Sequence, residues 1–181
     1  LNIISNIFIG KHIFNETEVW KELMNYFPPD ETVFTDSGRS AILLAIQGLS
    51  IAKGDEIIIS SFNCTAVIDP IITSGATPIL IDCNTTCGIN TAVFKKAINN
   101  RTKAVILTNI YGLLDDRDVI RKILGTQNIA IINDLSQSLI VPRLNPSFFR
   151  HDEVYIFSFG PEKHIYCFGG GAIFSPNRHL I

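Results

Sequence analysis

The chain has 181 residues, 46% of them hydrophobic and 18% charged, with a net charge of −2. That length suits one sizeable core, and the composition excludes a disordered or fibrous chain. The charge balance provides no basic field for nucleic acid, and no apolar run reaches the roughly 18 to 20 residues that span a bilayer.

The opening stretch, "LNIISNIFIGKHIF", has no basic leader and no small-residue cleavage site, so it does not read as a signal peptide. The absence of an initial methionine reads as a fragment. "VWKELMNYF" spaces Trp20, Leu23, Met24 and Phe27 as on one helix face, and Pro28 and Pro29 stop it. Residues 1–32 are therefore expected as an N-terminal helical segment, followed by one domain over 33–181. "GRSAILLAIQGLSI" (38–51) is apolar almost all round and predicts a buried helix. "EIIISS" (56–61) predicts a strand buried on both faces. "TAVIDPIITSG" (65–75) predicts a helix bent or shortened by Pro70 and ended near Gly75.

"TPILIDC" (77–83) reads as a strand. "NTAVFKKAI" (90–98) reads as an amphipathic helix capped by Asn90, with Val93, Phe94, Ala97 and Ile98 on one face. "KAVILTNI" (103–110) is a strand, and "DRDVIRKILG" (116–125) a helix with acidic residues in its first turn. "IAIINDLS" (129–136), "EVYIFSFG" (153–160) and "GGAIFS" (170–175) complete the strands. Strands alternating with helices imply right-handed crossovers and an α/β fold, a mainly parallel sheet covered on both faces. In such folds ligands collect at the carboxyl ends of the strands.

The four cysteines, at 64, 83, 87 and 167, include a C-x3-C spacing without a histidine pair, so no metal site is expected. Unpaired, mostly buried thiols in a reducing cytoplasm are the expectation. "TDSGRS" (35–40) opens a buried helix, and a helix start is a natural anion site; ordinary capping by Ser37 explains the same residues. Asp134 ends an apolar strand, either as a turn residue or as a buried charge waiting for a cation. Lys163 is either a solvated loop lysine or, if partly desolvated, a nucleophile toward aldehydes. Together, an anion cup, a carboxylate for a pyridine nitrogen and an amine for an aldehyde match the demands of pyridoxal 5′-phosphate (PLP). A nucleotide-binding α/β domain of another class is disfavoured, because neither G-x-G-x-x-G nor G-x4-G-K-[ST] occurs.

The stretch "SGRSAILLAIQGLSIAKGDEIIISSFNCTAVIDPIITSGATPILIDCN", with "NIYGLLDD", "NDLSQS" and "FSFGPEKHIYCFGGG" after it, resembles the large domain of the DegT/DnrJ/EryC1/StrS family. These are the sugar aminotransferases among the fold-type-I PLP enzymes. The resemblance implies a three-layer α/β/α domain. It implies that Lys163 carries the cofactor at C4′ and that Asp134 keeps the pyridine nitrogen protonated. Gln137 matches the position near the ring hydroxyl. Ser158 and the Gly38–Arg39 backbone match the phosphate cup, and Cys64 the position beside the ring face. Many members have threonine where Arg39 stands, an aromatic residue where Cys64 stands and asparagine where His164 stands. The glycines Gly169 to Gly171 match a turn that doubles the chain back beside the lysine.

The implied reaction moves an amino group from an amino acid, expected to be glutamate, to a keto-sugar nucleotide, in a cytoplasmic homodimer. Family members are longer, with a small C-terminal domain that has no counterpart before Ile181. The alternative is a truncated homologue that folds and binds PLP or a partner without turnover.

Overall fold

The computed structural model describes residue 21 and residues 23–181 apart from Leu139. Most of the expected N-terminal helical segment, Trp20 included, lies outside the described residues. Within it, residues 23–26 are helical and Phe27 is fully buried.

Seven strands form one sheet: β1 (Thr32–Thr35), β2 (Glu56–Ser60), β3 (Thr77–Ile81), β4 (Thr102–Thr108), β5 (Ala130–Asp134), β6 (Glu153–Ser158) and β7 (Gly171–Phe174). Their spatial order is β1-β7-β6-β5-β4-β2-β3. The run from β6 to β3 is parallel, whereas β7 pairs antiparallel with both β6 and β1. Four helices accompany them: α1 (Gly38–Gly48), α2 (Thr65–Thr73), α3 (Thr91–Ala97) and α4 (Arg117–Leu124).

Alternation along the strands divides the core into layers. Ile57 and Ile59 of β2 face Ala41, Ala45 and Ile46 of α1 and Val67 and Ile71 of α2. Ile58 faces the other way, onto Phe94 of α3 and Ile120 of α4. Beside that second layer, Phe27 packs edge-on against Phe157 and Phe159, in a cluster with Tyr155 and Phe174. The sheet is thus covered on both faces, the three-layer arrangement that the apolar runs imply.

The structure differs from the sequence expectation in three places. α1 stops at Gly48 rather than at residue 51, because Ser50 turns into positive φ (56°) and tucks Ile51 into the core. It is also exposed on one side, at Leu44 and Gln47. β1 was not foreseen: "TVFT" is four residues long and gains its partner only from β7, 136 or more positions later. Finally, the crossover from β5 to β6 carries no α-helix among its described residues, only a 3-10 turn at Pro146–Phe148.

Candidate functional site

Topology brings the polar strand ends to one edge. The parallel strands end there at Ser60, Thr108, Asp134 and Ser158. β1 ends at the same edge, since it runs antiparallel to β7, and it delivers the start of α1. There Ser37 caps the helix, its hydroxyl accepting the Ser40 N–H at 3.2 Å. Gly38 touches β6: a Cβ on it would lie 3.0 Å from the Ser158 Cβ and 3.6 Å from the Ser136 Oγ.

The glycine cluster at 169–171 makes this contact possible. Gly169 and Gly170 have positive φ, 149° and 100°. The Gly170 N–H donates to the Asp36 carbonyl at 2.9 Å. Gly171 leaves no room for any side chain, because a Cβ would sit 2.6 Å from the Ser37 carbonyl carbon. β7 therefore presses its backbone onto the start of α1, beside Ser158, with which Gly171 pairs.

Asp134 is 4% exposed. Its Oδ1 accepts the Ser136 N–H at 2.9 Å. Burial raises its pKa above the ordinary carboxylate range, while the hydrogen bonds from Ser136 and the Lys163 charge pull it down. A carboxylate so buried, with little protein cation beside it, suits a bound cationic group. Lys163 is half-buried, on a turn in which its N–H reaches the Gly160 carbonyl at 3.3 Å. Glu162, just before it, has φ 67°, a strained value for a non-glycine residue. Lys163 and Asp134 thus share one electrostatic environment, 29 residues apart in the chain.

Of the other predicted positions, Gln137 is half-buried on the turn after Asp134, and its Oε1 accepts the Tyr111 N–H at 2.9 Å. Arg39 is exposed on the first turn of α1. Cys64 is exposed at the N-cap of α2, without a side-chain cap bond. Its loop is tied to β4 by the Asn63 amide, which donates to Thr108 Oγ1 at 2.8 Å. No described contact joins Cys64 to Lys163. The four cysteines are free, but none is buried as expected: Cys64 and Cys167, on loops, are exposed and Cys83 and Cys87 half-buried. Among the described residues no group of side chains could hold a metal ion. No helix among those residues is long and apolar enough to cross a membrane.

Sequence reasoning missed Ser136 and underused Asn109. Ser136 stands two positions after Asp134, on the same turn, and its hydroxyl reaches toward Gly38. Asn109 is 2% exposed; its N–H and its Nδ2 both donate to the Asp134 carbonyl at 3.2 Å. A polar residue ending an apolar strand was the available signal for Asn109. For Ser136 there was none beyond its closeness to Asp134.

Comparison with known proteins adds a family. Residues 14–181 match the model described as the DegT/DnrJ/EryC1/StrS aminotransferase family. The dTDP-3-amino-3,4,6-trideoxy-alpha-D-glucose transaminase of Streptomyces venezuelae is 30% identical over 161 residues, 88% of this chain and 42% of that protein. The 3-oxo-glucose-6-phosphate:glutamate aminotransferase of Bacillus subtilis is 29% identical over 163 residues, 88% of this chain and 36% of its own. Among solved structures, ntda from Bacillus subtilis with bound cofactor PMP superposes with a TM-score of 0.79 at 26% identity, covering 94% of this chain and 39% of that one. The chain thus spans about two fifths of the length of these relatives.

Proposed function

This chain belongs to the DegT/DnrJ/EryC1/StrS aminotransferase family, and on that premise we propose that the domain running from β1 to residue 181 is the cofactor-binding domain of an aminotransferase acting on a keto-sugar nucleotide, with the stretch before β1 as a separate N-terminal segment. The family is PLP-dependent, and a related structure holds PMP, the amine form of the same cofactor. Glutamate is the proposed amino donor, as in the name of the Bacillus subtilis relative. The proposed setting is a cytoplasmic homodimer; the free cysteines accord with a reducing compartment.

One observation carries the reading: a carboxylate buried to 4% exposure shares its surroundings with a half-buried lysine, next to a helix start packed on a serine. When bound, pyridoxal phosphate supplies an aldehyde for amines and a ring that, protonated at nitrogen, accepts electrons. Asp134 would keep a proton on the ring nitrogen, its charge stabilised by the cation it faces. Ser158 and the N–H groups of Gly38 and Arg39 would hold the phosphate at the positive end of α1. Lys163 would hold the cofactor covalently. Freed by the incoming amine, its Nζ would carry a proton between the substrate carbon and the cofactor carbon C4′. Gln137 would meet the ring oxygen, and Cys64 would lie toward the ring face.

The test is visible absorption of the protein with added pyridoxal phosphate, then with glutamate. A visible band that glutamate removes, absent in Lys163→Ala, is the expected result. A band that glutamate leaves unchanged would assign the chain as a cofactor-binding homologue without turnover. No band at all would overturn the cofactor assignment.

A further inference from the structure

Among the described residues only Ser136 hydrogen-bonds the Asp134 carboxylate, its N–H reaching Oδ1 at 2.9 Å. The direction of that carboxylate therefore depends on the backbone that carries it. The peptide group joining Asp134 to Leu135 is clamped between two neighbouring strands. On the β6 side, the Leu135 N–H donates to the Ile156 carbonyl at 2.8 Å. On the β4 side, the Asp134 carbonyl accepts two bonds from Asn109, from its N–H and from its Nδ2, both at 3.2 Å.

The first of these two bonds continues the β4–β5 ladder, in which Thr108 pairs with Asp134. Any residue except proline could make it. The second needs a side chain of one length and one polarity. Asn109 is 2% exposed, and its whole amide is engaged. The Nδ2 group also donates to the Leu107 carbonyl, and Oδ1 accepts the Asp115 N–H, both at 3.1 Å. Asp115 is anchored in turn, its Oδ1 accepting the Ile89 N–H at 2.8 Å. With both amide hydrogens and the oxygen used, the Asn109 side chain has one orientation, and it meets the Asp134 carbonyl as a fixed stop.

We propose that Asn109 is a positioning residue for Asp134: its side-chain amide fixes the 134–135 peptide, and with it the direction in which the carboxylate meets the pyridine nitrogen. The inference rests on the cofactor reading above and adds to it a residue that touches neither cofactor nor substrate. A charge-assisted hydrogen bond is directional, and a functional group of this kind must be held within roughly 0.5 Å of its productive place. Asn109 acts only through Asp134, so its contribution vanishes when the Asp134 charge is gone.

A double-mutant cycle tests this. Asn109→Leu keeps the size and removes every side-chain hydrogen bond. Asn109→Ser stays polar but is too short to reach the Asp134 carbonyl, and it carries the test if the leucine variant does not fold. Neither adds a charge. Each is made in the parent and in Asp134→Asn, and the Kd for pyridoxal phosphate is read from the visible band. Exchange of the Leu135 amide is measured separately without the cofactor. In the parent, loss of Asn109 is expected to raise Kd about tenfold. In Asp134→Asn the same change is expected to alter Kd by less than about twofold. Leu135 exchange is expected to quicken in both Asn109 variants. An unchanged Kd in the parent, an equal rise in both backgrounds, or unchanged Leu135 exchange overturns the proposal while the cofactor reading stands. A parent with no visible band overturns the cofactor reading, and the proposal with it.

Discussion

At Asp134 the cofactor-free protein holds a carboxyl group that burial keeps above its ordinary pKa, in spite of Ser136 and Lys163. The folded chain therefore keeps a proton where the unfolded chain has released it. The stability contributed by this group is present at low pH and declines as pH rises from the ordinary carboxylate range through the raised value. Asp134→Asn is expected to stabilise the cofactor-free protein at neutral pH by about 1 kcal/mol, as functional residues often limit stability. The same substitution is expected to lower glutamate-dependent conversion by orders of magnitude, since the ring nitrogen loses its partner. Urea unfolding at acid and neutral pH checks the first part, and a variant no more stable than its parent contradicts it. Gly171 has the opposite character, because space decides there. Gly171→Ala drives a methyl group into the Ser37–Gly38 backbone. The expected cost is about 1–3 kcal/mol of overpacking, read as a lower Tm, with weaker phosphate binding because the start of α1 must move.

The crossover from β5 to β6 shows how an element can do without a helix. Glu153, at the start of β6, is fully buried. Its Oε2 accepts from Arg117 at 2.8 Å, from Asn133 at 2.9 Å and from the Tyr155 hydroxyl at 2.9 Å. Its Oε1 accepts from Arg121 at 3.1 Å. Arg117 also donates to the Phe148 carbonyl at 2.8 Å, and its guanidinium lies 4.0 Å above the Phe148 ring. α4 is thereby bolted to β6 and to the irregular segment that takes the place of a crossover helix. Burial pushes the Tyr155 phenol well above its ordinary pKa, so it remains a donor. Glu153→Ala leaves Arg117, itself 13% exposed in its side chain, without its buried counter-charge. The expected loss is about 3–5 kcal/mol, seen as a lower urea midpoint. The network stands at the amino end of β6, away from Lys163, so phosphate affinity in the surviving folded fraction is expected to be unchanged. A loss below about 1 kcal/mol would show the network to behave like a surface pair.

On the scale of the molecule, large apolar side chains crowd the loops at the site edge. Phe62 follows β2, Tyr111, Leu113 and Leu114 follow β4, and Tyr166 and Phe168 lie between β6 and β7; Tyr111 and Phe168 are 72% and 79% exposed. Apolar surface of this kind favours association. Residues 1–181 expressed alone are expected to self-associate, and Tyr111→Ser with Phe168→Ser to reduce this, as read by light scattering against concentration. A monodisperse monomer of the unmodified stretch would contradict the expectation.

The β-branched runs of β2, β4 and β5, the Asn90 cap of α3 and the fold class were legible in the sequence, because burial on both faces and helix capping are local patterns. The family motifs likewise marked Asp134, Ser158 and Lys163 as candidates for one site. What the sequence could not determine depends on partners distant along the chain. β1 is a strand only because β7 lies beside it. Ser136 matters only because α1 brings Gly38 across from another strand, and the amide of Gln137 has a direction only because Tyr111 is folded against it. Local patterns follow from a residue's own neighbours and are written in the chain; contacts between strand ends follow from how the whole sheet closes and were decided only when it did.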